Sequence, residues 1–140
     1  MPQIYIETFI DAPAGVCFDL MREPRVHRGS RLEIKGEREI SVGQRVSFES
    51  RVMGIAQQLT VEVVECDRPN MFIDEMVQGP MTSFRHKHEF IESAGTTRLA
   101  DTLTWESRWG KLADKLIERR LRSIVIDRNQ QLKKLIRTND

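Results

Sequence analysis

Apolar and polar positions repeat with two different periods along this chain, and the changes of period mark out its elements. Residues 3–10, QIYIETFI, alternate with period two and predict a strand. DAPAGVCFDLM follows. Pro13 suits the first turn of a helix, where its missing N–H costs nothing, so a short helix is expected over about 13–21. REPRVHRGSR, residues 22–31, is polar and basic and predicts a second short helix or a loop. The period then returns to two. LEIKGE (32–37), RVSFESRV (45–52), QLTVEVVEC (58–66), MFIDEMV (71–77), SFRHKHEFIE (83–92) and TRLADTLTWE (97–106) all read as strands. Turn residues separate most of them: Val42-Gly43, Met53-Gly54, Asp67-Arg68-Pro69-Asn70, Gly79-Pro80 and Ala94-Gly95. Connections this short favour antiparallel neighbours. From Trp109 onward the apolar residues fall at helical spacing, with Arg128 standing on the apolar stripe. About 28 residues at ~1.5 Å each make a rod of roughly 42 Å.

The order is strand, two short helices, about six strands, one long helix. It predicts an α+β domain over residues 1–140, with an antiparallel sheet of about seven strands wrapped around the C-terminal helix. The long amphipathic helix is the one element large enough to cover the apolar face of the sheet. Where a twisted sheet and a straight helix diverge, a space is left that suits a ligand.

The stretch FRHKHEF, residues 84–90, supplies the candidate chemistry. Pairing 83–92 with 97–106 through the turn Ser93-Ala94-Gly95-Thr96 sets Phe90 opposite Leu99, His88 opposite Asp101, His86 opposite Leu103 and Phe84 opposite Trp105. Alternation then gives one face Phe84, His86, His88, Phe90, Leu99, Asp101, Leu103 and Trp105. That face is the one expected to turn toward the helix, with His88–Asp101 a cross-strand pair. A turn at Gln78-Gly79-Pro80-Met81 adds strand 71–77 and sets Glu75 inward, with Ile73 and Val77. A one-residue slip would exchange these for Phe72 and Met76. Two histidines two apart on a strand share a face and resemble zinc ligands, with Asp101 or Glu75 as a third. His27 is the only other histidine, and no metal or other cofactor is expected. The remaining alternatives are a buried histidine bonded for structural reasons and a pocket wall that orients a ligand.

Composition adds exclusions. Apolar residues make up 39% and charged residues 31%, as in a folded soluble chain, and a net charge of +1 makes no case for nucleic acid. No apolar run approaches the ~20 residues that a membrane span needs. The N-terminus reads as a strand rather than a secretory signal, so a cytoplasmic location is expected. Cys17 and Cys66 form no CxxC and read as two reduced thiols. Residues 111–137 hold nine Lys/Arg and three Asp/Glu. A basic helix of this kind is usually a solvated face, and an interaction module is the less favoured alternative. Arg22, Arg25, His27, Arg28 and Arg31 crowd the second-helix region and would attract an anionic head group if they flank the cavity. There is no phosphate-binding loop, dinucleotide fingerprint or GxSxG.

These motifs, in this order, resemble the START/Bet v 1-like helix-grip superfamily, also called SRPBCC or the polyketide cyclase/dehydrase group. The resemblance covers essentially all 140 residues. The opening IYIETFIDAPAGVCFDL is similar to that group's strand, Ala-Pro and first helix, with Phe18-Asp19-Leu20. A bacterial ligand-binding branch is resembled more closely, through His27 and Ser30, Asp74-Glu75, Gly79, the F-x-H-x-H-x-F strand and GTTRLADTLTWE with Asp101. The resemblance implies a cavity for a small apolar or amphipathic molecule. It does not imply one activity, because a shared fold hosts many functions. The expected ligand-binding residues are His27, Phe48, Glu75, Phe84, His86, His88, Asp101, Leu103, Trp105, Trp109, Leu112 and Leu116. If the chain is instead a cyclase, dehydratase or isomerase, His88 set by Asp101 is the candidate general base.

Overall fold

The computed structural model describes residues 2–27, 31–52 and 54–138. Arg28, Ser30 and Met53 lie outside the described residues, as does the side chain of Arg31. Seven strands form one sheet in the order β1-β7-β6-β5-β4-β3-β2. They are β1 (Gln3–Ile10), β2 (Arg31–Lys35), β3 (Arg45–Val52), β4 (Ile55–Asp67), β5 (Met71–Gln78), β6 (Ser83–Ser93) and β7 (Thr96–Glu106). Every neighbouring pair is antiparallel. Between β1 and β2 lie α1 (Ala14–Asp19) and a 3-10 helix at Pro24–Val26, and α2 (Gly110–Thr138) follows β7. The α+β architecture is the one expected from the periods.

Local chemistry explains the elements. Pro13 sits at the N-cap of α1 with φ −62°, just outside the helix rather than within it. The β6–β7 hairpin closes through Ala94 and Gly95, with φ 53° and 80°. Two successive positive φ values match the right-handed twist of the flanking strands, which a tight hairpin needs. The register that follows sets Phe84 against Trp105, His86 against Leu103, His88 against Asp101 and Phe90 against Leu99, as the sequence predicts. β4 carries register shifts at Thr60/Val61 and Val63/Glu65. Extra residues of this kind bend a strand and increase its twist, which helps the sheet to curl.

The β5 register differs from the sequence expectation by the one-residue slip. Asp74 pairs with His86 and Phe72 with His88. Asp74 and Phe72 are buried, whereas Glu75 is in solvent on the outer face, where it accepts a 2.8 Å bond from Arg85. Alternation did not settle this strand because Phe72 and its neighbour Ile73 are both buried.

The core falls into two apolar clusters. One gathers Phe18, Val26, Phe72, Phe90, Leu99 and Leu132. The other gathers Val61, Phe84, Leu103, Trp105, Ile117 and Val125. Burial of each large apolar side chain is worth about 1.5–3 kcal/mol. Cys17 and Cys66 are both free thiols. Among the described residues no helix is long and apolar enough to cross a membrane.

Candidate functional site

β6 brings the two histidines inward side by side. Their rings stack with centroids 3.7 Å apart. Phe72 stacks on His88 at 4.1 Å, and Phe84 meets the His86 ring edge-on at 6.4 Å. The strand FRHKHEF therefore contributes to an aromatic column that touches both apolar clusters.

Each histidine gives its Nε2 to a different carboxylate. His86 Nε2 lies 2.7 Å from Asp101 Oδ1, and His88 Nε2 lies 3.1 Å from Asp74 Oδ2. Because Cα partnering on β6–β7 sets His88 opposite Asp101, an interaction between those two was the natural expectation. That pair is present, with His88 Nδ1 3.4 Å from Asp101 Oδ1, but the shorter contact to Asp101 comes from His86. The inward Asp74 captures the other side of the His88 ring.

Each carboxylate also receives an arginine from outside the sheet. Arg22, just past α1, donates through Nη2 to Asp74 at 2.7 Å and through Nε to Gln44 at 3.1 Å. Its guanidinium also lies 5.1 Å from the centre of the Phe72 ring. Arg128, on α2, donates through Nη2 to Asp101 at 2.7 Å. Asn129 adds a 3.1 Å bond to Asp101 Oδ2 and a 2.9 Å bond to Thr8. The charges of two arginines and two aspartates are thus paired in the interior, as buried charges must be.

These partners set the protonation states. Burial alone would raise both carboxyls. For Asp74 the charge of Arg22 and the bond from His88 outweigh it and hold the group well below the usual carboxylate range. For Asp101 the charge of Arg128 and the bond from His86 do the same. Burial pushes His86 down to about 3, reinforced by its stacked neighbour His88 and opposed by Asp101. Burial likewise pushes His27 down to about 3. His27 donates through Nε2 to the carbonyl oxygen of Met21 at 2.7 Å.

The polar groups end a cavity of about 90 Å³ between the sheet and α2. Arg22, His27, Asp74, His86, His88 and Arg128 supply its polar lining. Phe48, Leu59, Val61, Phe84 and Leu103 line it from the sheet, and Leu121, Ile124 and Val125 from α2. Of the residues expected at the site, His27, Phe48, Phe84, His86, His88 and Leu103 line this cavity, and Asp101 lies directly behind the histidines. Five do not. Glu75 faces solvent for the register reason given above. Trp105 is fully buried in the core and outside the cavity lining, so Trp105→Ala would act on packing before it acted on a wall. Leu112 and Leu116 are exposed, at 76% and 40%. Trp109, 52% exposed, lines a separate groove with Ile55, Pro80, Met81 and Ile117. In the first two turns of α2 the buried position is Ile117, and Leu112 and Leu116 stand on the exposed side of the helix.

Sequence reasoning missed Asp74, Asn129 and Gln44 as partners. Arg128 left a legible signal, because an arginine on the apolar stripe of a helix must find a buried partner. It is one of the nine basic residues at 111–137, so this part of the basic surface is turned inward. His86, His88 and Asp101 bring potential ligand atoms within 4.8 Å of one another. However, Asp101 Oδ1 already accepts from both Arg128 and His86 at 2.7 Å. A metal there would sit beside a guanidinium, which the electrostatics oppose.

No family model matches this sequence, and no curated protein matches it. Solved structures do. A protein from Thermus thermophilus is similar at 20% identity and a TM-score of 0.83, covering 99% of each chain. An aromatase/cyclase from a Streptomyces species is similar at 14% identity and a TM-score of 0.78, covering 95% of this chain and 92% of that one. A START superfamily protein from Mycobacterium smegmatis is similar at 12% identity and a TM-score of 0.75, covering 95% and 98%. Identities this low speak for architecture, and the architecture of this chain is the START/Bet v 1-like helix-grip fold.

Proposed function

We propose that this chain binds a small, mainly apolar or amphipathic molecule in the cavity between the sheet and α2. The observation that carries the reading is the composition of that cavity. Apolar side chains, among them Phe48, Phe84 and Leu103, surround one end where His27, His86 and His88 gather beside two arginine–aspartate pairs. A few placed polar groups in an apolar hollow are what small-molecule sites are made of. Native mass spectrometry of freshly purified protein tests it. An added mass of a few hundred daltons supports the reading and starts the identification. An added mass equal to one metal ion would replace it.

A second reading, a cyclase-, dehydratase- or isomerase-type enzyme, is favoured by one detail. His88 Nδ1 is buried without a hydrogen-bond partner while Nε2 is fixed by Asp74. Nδ1 in turn lies 3.4 Å from Asp101 Oδ1, so carboxylates at both nitrogens orient the ring for proton transfer. The orienting carboxylates would then be Asp74 and Asp101 together. Under this reading His88→Asn abolishes turnover of a bound molecule while its affinity survives. Retained turnover removes His88 from the chemistry.

A further inference from the structure

We infer that the polar end of the cavity receives an acceptor oxygen of the ligand, from a carboxylate or a neutral carbonyl, and that Nη1 of Arg22 and Nη1 of Arg128 are the donating atoms. The inference rests on the small-molecule reading above and gives that molecule a head group.

A guanidinium carries five N–H hydrogens and no acceptor. Arg22 gives Nη2 to Asp74 at 2.7 Å and Nε to Gln44 at 3.1 Å. Arg128 gives Nη2 to Asp101 at 2.7 Å and Nε to Asn129 at 3.0 Å. Among the described residues, neither Nη1 has a protein partner. Both side chains are nearly enclosed, the residues being 2% and 5% exposed, and both line the cavity. Yet neither Nη1 is sealed in. Among the described residues, the sealed polar side-chain atoms without a partner are His88 Nδ1 and Trp105 Nε1. The two Nη1 groups therefore open to the cavity. Buried donors without an acceptor are costly, so whatever fills this end must bring one.

The other polar groups of the lining are already engaged. Asp74 accepts from Arg22 on one oxygen and from His88 on the other. His86 Nε2 donates to Asp101 and His27 Nε2 to the carbonyl oxygen of Met21. His88 stands between two carboxylates, at 3.1 and 3.4 Å. The donors left for a ligand are those of the arginines. Arg22 comes from the segment after α1 and Arg128 from α2, so two separate elements present them. Burial keeps His27 neutral, and the charges of Arg128 and Arg22 act in the same direction, so both guanidiniums lie near that ring. Charged donors bind a carboxylate most strongly. Each arginine is also offset by an aspartate, so a neutral carbonyl is served as well. The apolar part of the ligand then lies along Phe48, Leu59 and Leu121.

The test uses the whole chain and three planar probes of the same size: benzoate, acetophenone and α-methylstyrene. They carry a carboxylate, a neutral carbonyl and no oxygen. Each is titrated by NMR, with the arginine side-chain nitrogen shifts as a second readout. Benzoate, acetophenone or both should bind roughly tenfold or more tightly than α-methylstyrene and move the Arg22 and Arg128 resonances. Benzoate ahead of acetophenone identifies a carboxylate head group, and the reverse order a neutral carbonyl. The paired change Arg22→Met with Asp74→Asn removes one donor without stranding a charge and should narrow the preference severalfold. If α-methylstyrene binds as tightly as both others, or if the arginine resonances stay still while the oxygen-bearing probes bind, the arginine subsite is wrong and the cavity reading stands. If none of the three binds at saturation, both fail. The unaltered protein decides the matter even if the variant does not fold.

Discussion

Asp101 and Asp74 occupy similar places and do different structural work. Each is buried on the inner face, and each takes one histidine of β6 and one arginine from outside the sheet. Asp101 accepts from His86, Arg128 and Asn129, and the last two belong to α2. It therefore ties the long helix to β7 and, through His86, to β6. Asp74 accepts from His88 and Arg22, and Arg22 leads on to Gln44. Gln44 in turn donates to the carbonyl oxygens of Glu37, Arg38 and Glu39. This half fixes the segment after α1 and the connection before β3. The cavity lies where the two halves meet, so one side of its polar end is held by a helix and the other by connecting segments. Ionic pairing in an interior need not add net stability, but removing one partner leaves an unpaired buried charge.

The two carboxylates should differ most in what their loss costs. Asp101→Ala should cost about 3–5 kcal/mol in urea unfolding, because Arg128 and two further donors lose their acceptor. Asp74→Ala should cost less, about 2–4 kcal/mol, with two donors stranded. Equal losses, or the reverse order, would show that the extra link to α2 contributes nothing.

Acidification should act next, through the buried histidines. His86 and His27 have an ordinary value of 6.5 and are held near 3 in the folded chain. Above pH 6.5 both are neutral whether folded or not, and they add no pH dependence. Below it the unfolded chain binds protons that the folded chain refuses, so stability should fall as pH drops from 6.5 toward 3. Each histidine contributes a slope of about 1 kcal/mol per pH unit in that window. The aspartates act in the same direction below about pH 4, where unfolded carboxyls protonate first. Denaturation midpoints of His86→Gln should fall less steeply between about pH 6 and 4 than those of the unaltered protein. A parallel curve would mean that His86 is not kept neutral by folding.

The smallest effect belongs to the residue beside Asp74. Glu75→Ala removes an exposed pair with Arg85 and should change stability by about 0.5 kcal/mol or less. A loss comparable to that of Asp74→Ala would place Glu75 inside and overturn the β5 register.

The Asp101 half was readable largely because a tight hairpin fixes it. Ala94-Gly95 sets the β6–β7 register, and alternation then sends Phe84, His86, His88 and Asp101 to one face. Arg128 was visible as a charge on an apolar stripe. The Asp74 half was hidden, because β5 has apolar residues at both Phe72 and Ile73, so its period does not choose a face. Leu112 and Leu116 misled in the opposite way. Their helical spacing is correct, but the face that α2 buries at this point runs through Ile117 and leaves both in solvent.

The succession of elements, the antiparallel order of the hairpin and the inward direction of the two histidines were all legible in the chain. All of these follow from periods and turns acting over short stretches of chain. Which carboxylate each histidine meets, which face the start of α2 buries and how large a hollow remains were settled only by the folded chain. These depend on side chains far apart in sequence, such as Arg22 with Asp74 and Arg128 with Asp101, whose burial is tolerable only when they find one another.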